Sequence, residues 1–178
     1  MKQVKLTVRS NEPIAKSVYK MTLTGDLSAV TAPGQFVNIQ LDGLYLRRPI
    51  SVCDCADGVL TLIYKVVGKG TAQMAGMTGG EVLDVLTGLG NGYDLSKSGE
   101  EPLLLGGGVG VPPLYMLARK LREAGKKVTV ILGFNAADEI FYEDEFRALG
   151  CETFVATADG SVGDKGFVTD VLKNHVLS

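Results

Sequence analysis

The sequence predicts two domains of different fold class, an all-β domain over residues 1–98 and an α/β domain over residues 99–178. Three observations carry this prediction. Apolar and polar residues alternate in short segments through the first part, with glycine and proline turns between them. From residue 103 onward, continuous apolar runs alternate with helix-period segments. The polar stretch 95–102 separates the two patterns and is interpreted as a linker.

The first domain is predicted to be an antiparallel Greek-key β-barrel. Period-two alternation marks strands at 4–8, 19–23, 37–41 and 60–64. Turn signals such as Asp-Gly and Pro-Gly separate them, and one short helix is expected near 71–77. Several short strands with regular turns are typical of barrels and sandwiches.

The second domain is predicted to be the start of a doubly wound parallel sheet. The helix-period segment 112–124 is closed by a glycine, as a helix end often is. With apolar strands at 103–105, 128–134 and 153–157, the element order is β-α-β-α-β-α. Three strands are fewer than the five or more that a dinucleotide-binding domain normally carries. We therefore expect a partial nucleotide-binding fold.

Composition excludes several classes of function. Hydrophobic residues make up 46% of the chain and the formal net charge is -2, with lysine and arginine dispersed. Neither nucleic acid nor an acidic membrane surface is therefore an expected partner. No apolar run approaches the ~20 residues that span a bilayer, and the first residues alternate in polarity rather than forming a signal peptide. A cytoplasmic location is expected.

The three cysteines, Cys53, Cys55 and Cys151, predict neither a disulfide framework nor a metal site. Their count is odd, and the first two lack the two-residue gap of zinc and iron-sulfur loops. The only histidine, His175, is distant in sequence. Buried, reduced thiols are the expectation, and no metal ligand is assigned.

A glycine-dense loop follows the first apolar strand of the second domain and opens its first helix. It reads Gly-Gly-Gly-Val-Gly-Val-Pro-Pro over 106–113 and fits G-x-G-x-x-P rather than G-x-G-x-x-G. Bare backbone at a strand end lets N–H groups approach a pyrophosphate, and proline near the helix start removes no hydrogen bond. The alternative is a glycine turn that serves close packing alone.

A second candidate site lies in the first domain. The segment Arg-Pro-Ile-Ser at 48–51 combines a cation, a rigid turn and a hydroxyl, and arginine is a forked donor to phosphate. Ile-Tyr-Lys at 63–65 ends a later strand, and Gly-Lys-Gly-Thr at 68–71 opens the short helix, which suits an anion. A surface arginine beside an ordinary hairpin turn is the alternative.

In their order and spacing, these segments resemble the ferredoxin reductase superfamily. The strings Arg-Arg-Pro-Ile-Ser, Gly-Lys-Gly-Thr, Leu-Gly-Asn-Gly-Tyr and the glycine loop look most like electron-transfer subunits of NAD-dependent, heteromeric dihydroorotate dehydrogenases. The resemblance covers nearly the whole chain. It implies a flavin-binding barrel followed by a nicotinamide-binding α/β domain, with FAD and NAD(H) as cofactors.

The resemblance also implies the binding residues. Those for FAD would be Arg48, Pro49, Ile50, Ser51, Ile63, Tyr64, Lys65, Gly70 and Thr71. Those for the nicotinamide nucleotide would be Gly106, Gly107, Gly108, Gly110 and Pro112. Asp159, just past the third strand, suits a free ribose and repels a 2′-phosphate, so NAD is expected rather than NADP. Because cofactors carry the chemistry, no side chain is expected to act as a catalytic acid or base.

The resemblance implies that the chain would be an oxidoreductase subunit of pyrimidine biosynthesis. Electrons would pass between NADH and an FMN-containing dihydroorotate dehydrogenase catalytic subunit, through FAD and a [2Fe-2S] cluster, in a heterotetramer. Subunits of this kind end in a C-x4-C-x2-C…C segment that holds the cluster, and this sequence has no such segment. We therefore expect a truncated chain that needs its partner for activity. The alternatives are a subunit of an NADH-dependent ferredoxin or sulfur-compound reductase, and an FAD-binding scaffold without electron transfer.

Overall fold

The structure, a computed structural model, describes residues 1–176, with the backbone alone for Val176. The chain forms two compact units, Met1–Tyr93 and a second that begins at Asp94. The first is a closed antiparallel barrel and the second a parallel sheet with helices, which confirms the predicted fold class. The end of the predicted second domain, 177–178, lies outside the described residues.

Six strands and one short helix make up the first unit. They are β1 (Lys2–Ala15), β2 (Val18–Gly25), β3 (Phe36–Ile39), β4 (Arg48–Ala56), β5 (Val59–Lys65), α1 (Lys69–Ala75) and β6 (Val82–Leu89). The strands close in the order β1-β2-β5-β4-β3-β6, which is a Greek-key connection. Every strand pairs antiparallel with both neighbours, so the barrel has no open edge.

The barrel interior is filled by the apolar residues of the alternating segments. Leu6, Met21 and Leu62 have no exposed surface, and each such burial stabilises the fold by about 1.5–3 kcal/mol relative to exposure. The hairpin between β4 and β5 turns at Asp57 and Gly58, whose φ angles of 52° and 73° suit a type I′ turn. The Asp-Gly turn signal in the sequence therefore coincides with a hairpin turn.

Strand β4 runs through the segment 48–51, where the alternation in the sequence predicts no strand. Pro49 is exposed and pairs with Asn38 of β3, so the proline interrupts neither the strand nor its pairing. A register shift between Val52 and Asp54 leaves the consecutive residues Val52 and Cys53 both buried. Period-two alternation fails at such a bulge, which is why the pattern does not reveal this strand.

The second unit is a four-stranded sheet with crossover helices. Its elements are β7 (Leu103–Gly107), α2 (Pro112–Glu123), β8 (Thr129–Phe134), α3 (Glu143–Ala148), β9 (Glu152–Thr157), β10 (Asp164–Lys165) and α4 (Val168–Val171), which continues as a π-helical turn over Leu172–Val176. The sheet order is β10-β9-β8-β7 with all pairs parallel. Among residues 1–176, no helix is long and apolar enough to cross a membrane.

One sequence-based detail needs correction. The three-stranded sheet gains a fourth strand, because Asp164 and Lys165 pair with Ala156 and Thr157; two residues of mixed polarity leave no pattern to detect. The two compact units divide after Tyr93, and the predicted domain boundary after residue 98 stays a prediction. The segment that follows folds within the second unit, where Lys126 Nζ donates to the carbonyl of Ser98 at 2.7 Å.

Candidate functional site

The two adjacent arginines of the first unit have different roles. Arg47 donates to the Asp84 carboxylate at 2.6 Å and to the carbonyls of Asn38 and Asp84, both at 3.2 Å. The bond from Arg47 to the carboxylate, with those from Gln3 and Lys5, lowers the pKa of Asp84 from 3.8 to about 2. Arg47 therefore ties β4 to β3 and β6, and its guanidinium is committed to the barrel.

Arg48 lies against the start of α1. A Cβ added at Gly70 would collide with the Arg48 side chain, at 2.8 Å from Cζ and 2.9 Å from Cδ. Only glycine leaves room for the arginine there. The guanidinium also donates to the carbonyl of Leu46 at 2.5 Å. Two predicted FAD-binding residues, far apart in sequence, are thus brought together in space.

Thr71 shapes the turn before α1. Its hydroxyl oxygen accepts from the N–H groups of Val67 at 2.9 Å and Gly68 at 3.2 Å. The side chain is 9% exposed, so it is buried beneath the turn. Thr71 fixes the backbone on which Gly70 sits, and its contact with a pyrophosphate stays a prediction.

Within the segment 63–65, the Tyr64 side chain is buried in the first unit. Tyr64 is 2% exposed, and its hydroxyl donates to Asn11 Oδ1 at 2.9 Å. Burial raises the pKa of Tyr64 from 10.0 to about 12, against the effect of that hydrogen bond. The Tyr64 ring stacks on Tyr19 with centroids 5.9 Å apart. The tyrosine ring belongs to the barrel core, so a flavin contact at this position would come from the backbone.

The barrel residues fit a ligand that has both an anionic group and a hydrogen-bond donor. The Arg48 guanidinium beside the bare backbone of Gly70 provides a positive charge with close access. Asn38 of β3 pairs with Pro49 of β4 in the barrel. The side-chain Oδ1 of Asn38 is buried and has no hydrogen-bond partner among the described atoms. A buried acceptor without a partner is costly, and a donor from a ligand would satisfy it. FAD carries phosphates and N–H groups, so the residues present fit it.

Gly106 and Gly107 are adjacent in the second unit's loop but have different surroundings. A Cβ at Gly106 would lie 2.7 Å from Leu114 Cδ1 and 3.2 Å from the Gly110 carbonyl, so this glycine lets β7 approach α2. At Gly107, a Cβ would meet only the Gly133 carbonyl, at an ordinary 3.7 Å. The packing alternative therefore describes Gly106, while Gly107 is open toward a ligand.

Few amide groups at the start of α2 remain for a phosphate. Pro112, which is buried, and Pro113 have no N–H, and the N–H of Leu114 donates to the Val111 carbonyl at 3.0 Å. The N–H of Val111 donates to Gly108 at 3.1 Å. Any phosphate contact therefore falls to the N–H groups of residues 108–110, and Pro112 shapes the helix start.

A cavity of about 220 Å³ opens at the carboxyl ends of β7 and β8. In parallel sheets this edge is where ligands bind. Its walls are mostly bare backbone and aromatic rings, with one amide and one carboxylate side chain. The lining residues are Gly107, Gly108, Gly133, Phe134, Asn135, Glu139, Gly166, Phe167 and Val168. Phe167 is 70% exposed, which leaves its ring face open to a planar ligand.

Sequence reasoning missed Asn135, Glu139 and Phe167 as cavity residues. Asn135 Nδ2 donates to Glu139 Oε2 at 2.9 Å just after β8. An acidic residue soon after the second strand of a dinucleotide fold is a signal that could have identified Glu139. The predicted ribose ligand, Asp159, does not line the cavity. Its Oδ1 accepts from the N–H and hydroxyl of Ser161, which lower the pKa of the carboxyl.

The cysteines of this chain do not fit a [2Fe-2S] cluster. Such a cluster needs four protein ligands, and the chain has three cysteines. Cys53 and Cys55 lie on β4 of the barrel, while Cys151 belongs to the second unit. Burial raises the pKa of the Cys151 thiol, which disfavours the thiolate that binds metals.

Solved structures with the same fold include flavin reductases. The NADH-dependent reduced ferredoxin-NADP oxidoreductase aligns with 96% of this chain and 63% of its own, at 34% identity and a TM-score of 0.85. A ferredoxin NADP+ reductase from Neisseria gonorrhoeae, solved with FAD and NADP, aligns with 99% of this chain and 78% of its own, at 18% identity and a TM-score of 0.84. The fold of this chain is thus the fold of the ferredoxin-NADP reductases.

Comparison with curated relatives identifies a particular family that has this fold. The dihydroorotate dehydrogenase B (NAD(+)) electron transfer subunit of Fusobacterium nucleatum is 52% identical over 97% of this chain and 70% of its own length. That of Geobacillus sp. is 47% identical over 100% of this chain and 72% of its own. No protein-family model matches the sequence. The chain belongs to the family of dihydroorotate dehydrogenase B electron transfer subunits, which confirms the resemblance seen in the sequence.

Proposed function

We propose that this chain passes electrons between NADH and a dihydroorotate dehydrogenase catalytic subunit by way of FAD. The observation that carries the proposal is the convergence of Arg48 on Gly70, at a barrel site separate from the glycine-lined cavity. Two independent nucleotide sites on one chain are what a relay between two cofactors requires. Membership in the electron transfer subunit family supports the same reading.

On the barrel, the residues of the chain bind and orient the flavin. Arg48 offers a fixed positive charge to the phosphates, and Gly70 keeps the backbone accessible beside it. When bound, FAD supplies the exchange between two-electron and one-electron transfer. The remaining predicted contacts, Pro49, Ile50, Ser51, Ile63 and Lys65, lie on β4 and β5. They are proposed to line the same ligand.

In the second unit, the cavity is proposed to hold the nicotinamide dinucleotide. The N–H groups of residues 108–110 are proposed to bind its pyrophosphate, and the Phe167 ring, which lines the cavity, is proposed as a stacking surface for a base. Bare backbone at Gly107 and Gly133 lets the ligand come close. The chain's part is to bind and to exclude other ligands, since no side chain here is assigned a proton-transfer role.

The proposed partner is an FMN-containing dihydroorotate dehydrogenase catalytic subunit, in a cytoplasmic heterotetramer. The word subunit in the names of the relatives supports a partner of this kind. A ferredoxin reductase subunit is the second candidate, because the ferredoxin-NADP oxidoreductase structure is 34% identical. The relatives named for dihydroorotate dehydrogenase are more similar, at 47–52% identity.

Flavin uptake and reduction test the proposal in two steps. The purified chain is mixed with FAD, desalted and examined by absorbance, and we expect bound flavin near one per chain. NADH is then added under anaerobic conditions, and bleaching of the flavin is expected. Failure to retain FAD would refute the barrel assignment. Retained FAD that NADH leaves oxidised would make the chain a scaffold, without electron transfer.

Co-expression with candidate acceptors identifies the partner. We expect the chain to co-purify with a dihydroorotate dehydrogenase catalytic subunit and to support NADH-linked turnover of dihydroorotate or orotate in that complex. If NADH instead reduces ferredoxin and no complex forms, the second candidate replaces the first.

A further inference from the structure

Gln35 is a buried polar residue of the barrel, directly before β3. It is 6% exposed, although glutamine is mostly found at protein surfaces. A buried polar group needs hydrogen-bond partners, and an amide that has several partners holds the segments it joins in one arrangement. The partners of Gln35 therefore indicate which part of the barrel it fixes.

The Gln35 side chain joins the segment before β3 to the segment after β6. Its Oε1 accepts from the N–H groups of Thr31 at 2.8 Å and Ala32 at 3.1 Å. Its Nε2 donates to the carbonyl of Gly90 at 3.4 Å. Gly90 belongs to the string Leu-Gly-Asn-Gly-Tyr over 89–93. One side chain thus ties a loop of this string to the start of β3.

The backbone of Gln35 is bonded to the end of the segment predicted to bind FAD. Its carbonyl accepts from the N–H of Val52 at 2.9 Å, and the next residue, Phe36, pairs with Ser51. Strand β4 changes neighbours at this point, because its pairs with β3 end at Ser51 and its pairs with β5 begin at Val52. Gln35 therefore holds β4 at the place where the segment 48–51 ends.

We propose that Gln35 is a positioning residue for FAD, which sets the place of Ser51 through these bonds and does not itself touch the cofactor. This proposal rests on the proposed function, which puts FAD along residues 48–51. Arg48, at the other end of the segment, lies against Gly70. Strand residues rise about 3.3 Å each, so the two ends are roughly 10 Å apart and need separate supports. Binding groups depend on such supporting hydrogen bonds for their position.

Flavin affinity and the flavin spectrum test this assignment. Gln35→Met has a side chain of similar length and removes both polar atoms. The apoprotein is titrated with FAD, flavin fluorescence gives the Kd, and the absorbance of bound FAD reports on the surroundings of the isoalloxazine ring. We expect the Kd to rise about tenfold and the visible bands to shift from their wild-type positions, because Ser51 is no longer held in place.

Thr22→Val is the matched control for a lost hydrogen bond within the barrel. The Thr22 hydroxyl is bonded to the Ser10 hydroxyl at 2.7 Å, between β2 and β1. This variant should lower the melting temperature but keep the wild-type affinity for FAD and the wild-type spectrum. A lower stability alone therefore does not reproduce the effect expected for Gln35.

A second substitution at position 35 makes a smaller change. Gln35→Glu keeps an oxygen for the N–H groups of Thr31 and Ala32 and loses only the donor to Gly90, so the Kd should rise about threefold with a band shift in the same direction. If a folded Gln35 variant is less stable yet binds FAD with wild-type affinity and spectrum, Gln35 is only structural and the proposal is overturned. A wild-type chain that does not retain FAD would instead refute the proposed flavin site itself.

Discussion

The Arg48 side chain lies so close to Gly70 that no other residue type fits at position 70 without moving it. An added Cβ would come within 2.8 Å of Cζ and 2.9 Å of Cδ. Arg48 begins β4 and Gly70 belongs to the first turn of α1, so this contact joins two distant segments of the barrel unit. It also fixes where the guanidinium charge is presented.

Gly70→Ala should weaken FAD binding while preserving the fold. Alanine is favoured over glycine within a helix, so the cost falls on the displaced arginine rather than on α1. We expect the Kd for FAD to rise about tenfold, since a charge-assisted contact is lost, with the melting temperature of the apoprotein unchanged or higher. Gly68→Ala is the matched control, because a Cβ there meets nothing within 4 Å. Equal affinity of both variants would show that Arg48 does not bind the flavin phosphates.

Arg47→Ala should destabilise the barrel by about 1.5–3 kcal/mol, as expected for charge-assisted hydrogen bonds. Lys5→Ala is the control, because Lys5 also pairs with Asp84 but is 68% exposed; its loss should cost less than about 0.5 kcal/mol. Urea unfolding measures both. Equal losses would contradict the role given to Arg47.

Arg47→Ala should also change how strongly the stability of the fold depends on acidic pH. The pKa of Asp84 is lowered from 3.8 to about 2 in the native state, so its stabilisation is present above pH 4 and disappears as the pH falls toward 2. Without Arg47, the carboxyl titrates nearer its ordinary pKa, and the wild type's loss of stability over this range should shrink. Urea midpoints measured from about pH 5 to about pH 2 test this, and identical pH profiles would refute it.

Gly106→Ala and Gly107→Ala should have opposite consequences. At Gly106 the new methyl group presses on Leu114 and on the Gly110 carbonyl, which should cost about 1–3 kcal/mol of stability. At Gly107 the methyl group has room in the fold but enters the cavity, so stability is kept and the Kd for NADH rises about tenfold. Thermal unfolding and NADH titration distinguish them. A Gly107→Ala variant with wild-type NADH affinity would place the nucleotide outside this cavity.

Tyr64→Phe should destabilise the barrel by about 1–2 kcal/mol at neutral pH, because Asn11 Oδ1 loses its donor. Asn11 also donates to the carbonyls of Met74 and Met77, so the loss should reach the end of α1. Tyr19→Phe is the control with a smaller expected effect, because it removes a hydroxyl but keeps the ring that stacks on Tyr64.

Alkaline pH gives an independent check on Tyr64. Its pKa rises from 10.0 to about 12 on folding, so the wild type keeps this stabilisation below pH 10 and loses it as the pH approaches 12. Tyr64→Phe has no such group and should lack this decline. Denaturant midpoints between about pH 9 and about pH 12 measure it, and matching declines in both proteins would contradict the burial of the phenol.

Much of the fold could be predicted because local patterns and global structure agree. Alternation at residues such as Leu6 and Leu62 fills the barrel, and the Asp57-Gly58 signal forms a hairpin turn. The prediction missed β4 as a continuous strand, since a bulge between Val52 and Asp54 breaks the alternation. A strand of two residues, such as β10, is too short to show a repeated pattern in the sequence.

Some features of the candidate sites could be predicted from the sequence, and others could not. Motif order revealed the family and brought Arg48 and Gly70 to attention, and the structure puts them in contact. The assignments of individual binding residues stay predictions. The orientation of Asp159 toward Ser161 depends on turn geometry, although the string Asp-Gly-Ser is a signal of such a turn. The position of Glu139 soon after the second strand is a sequence signal, but its place in the cavity wall depends on several elements coming together.

The pairing of β1 with β6 has a consequence for how the chain acquires its structure. Lys2 pairs with Thr87, so the closing seam of the barrel joins the two sequence ends of the first unit. Such non-local pairing raises the contact order, and proteins of this kind fold in milliseconds to seconds rather than microseconds. During synthesis, the amino-terminal strand must wait for β6 to leave the ribosome, with one edge open to wrong partners. Once Leu89 has emerged, every strand of the barrel is present and the seam can close.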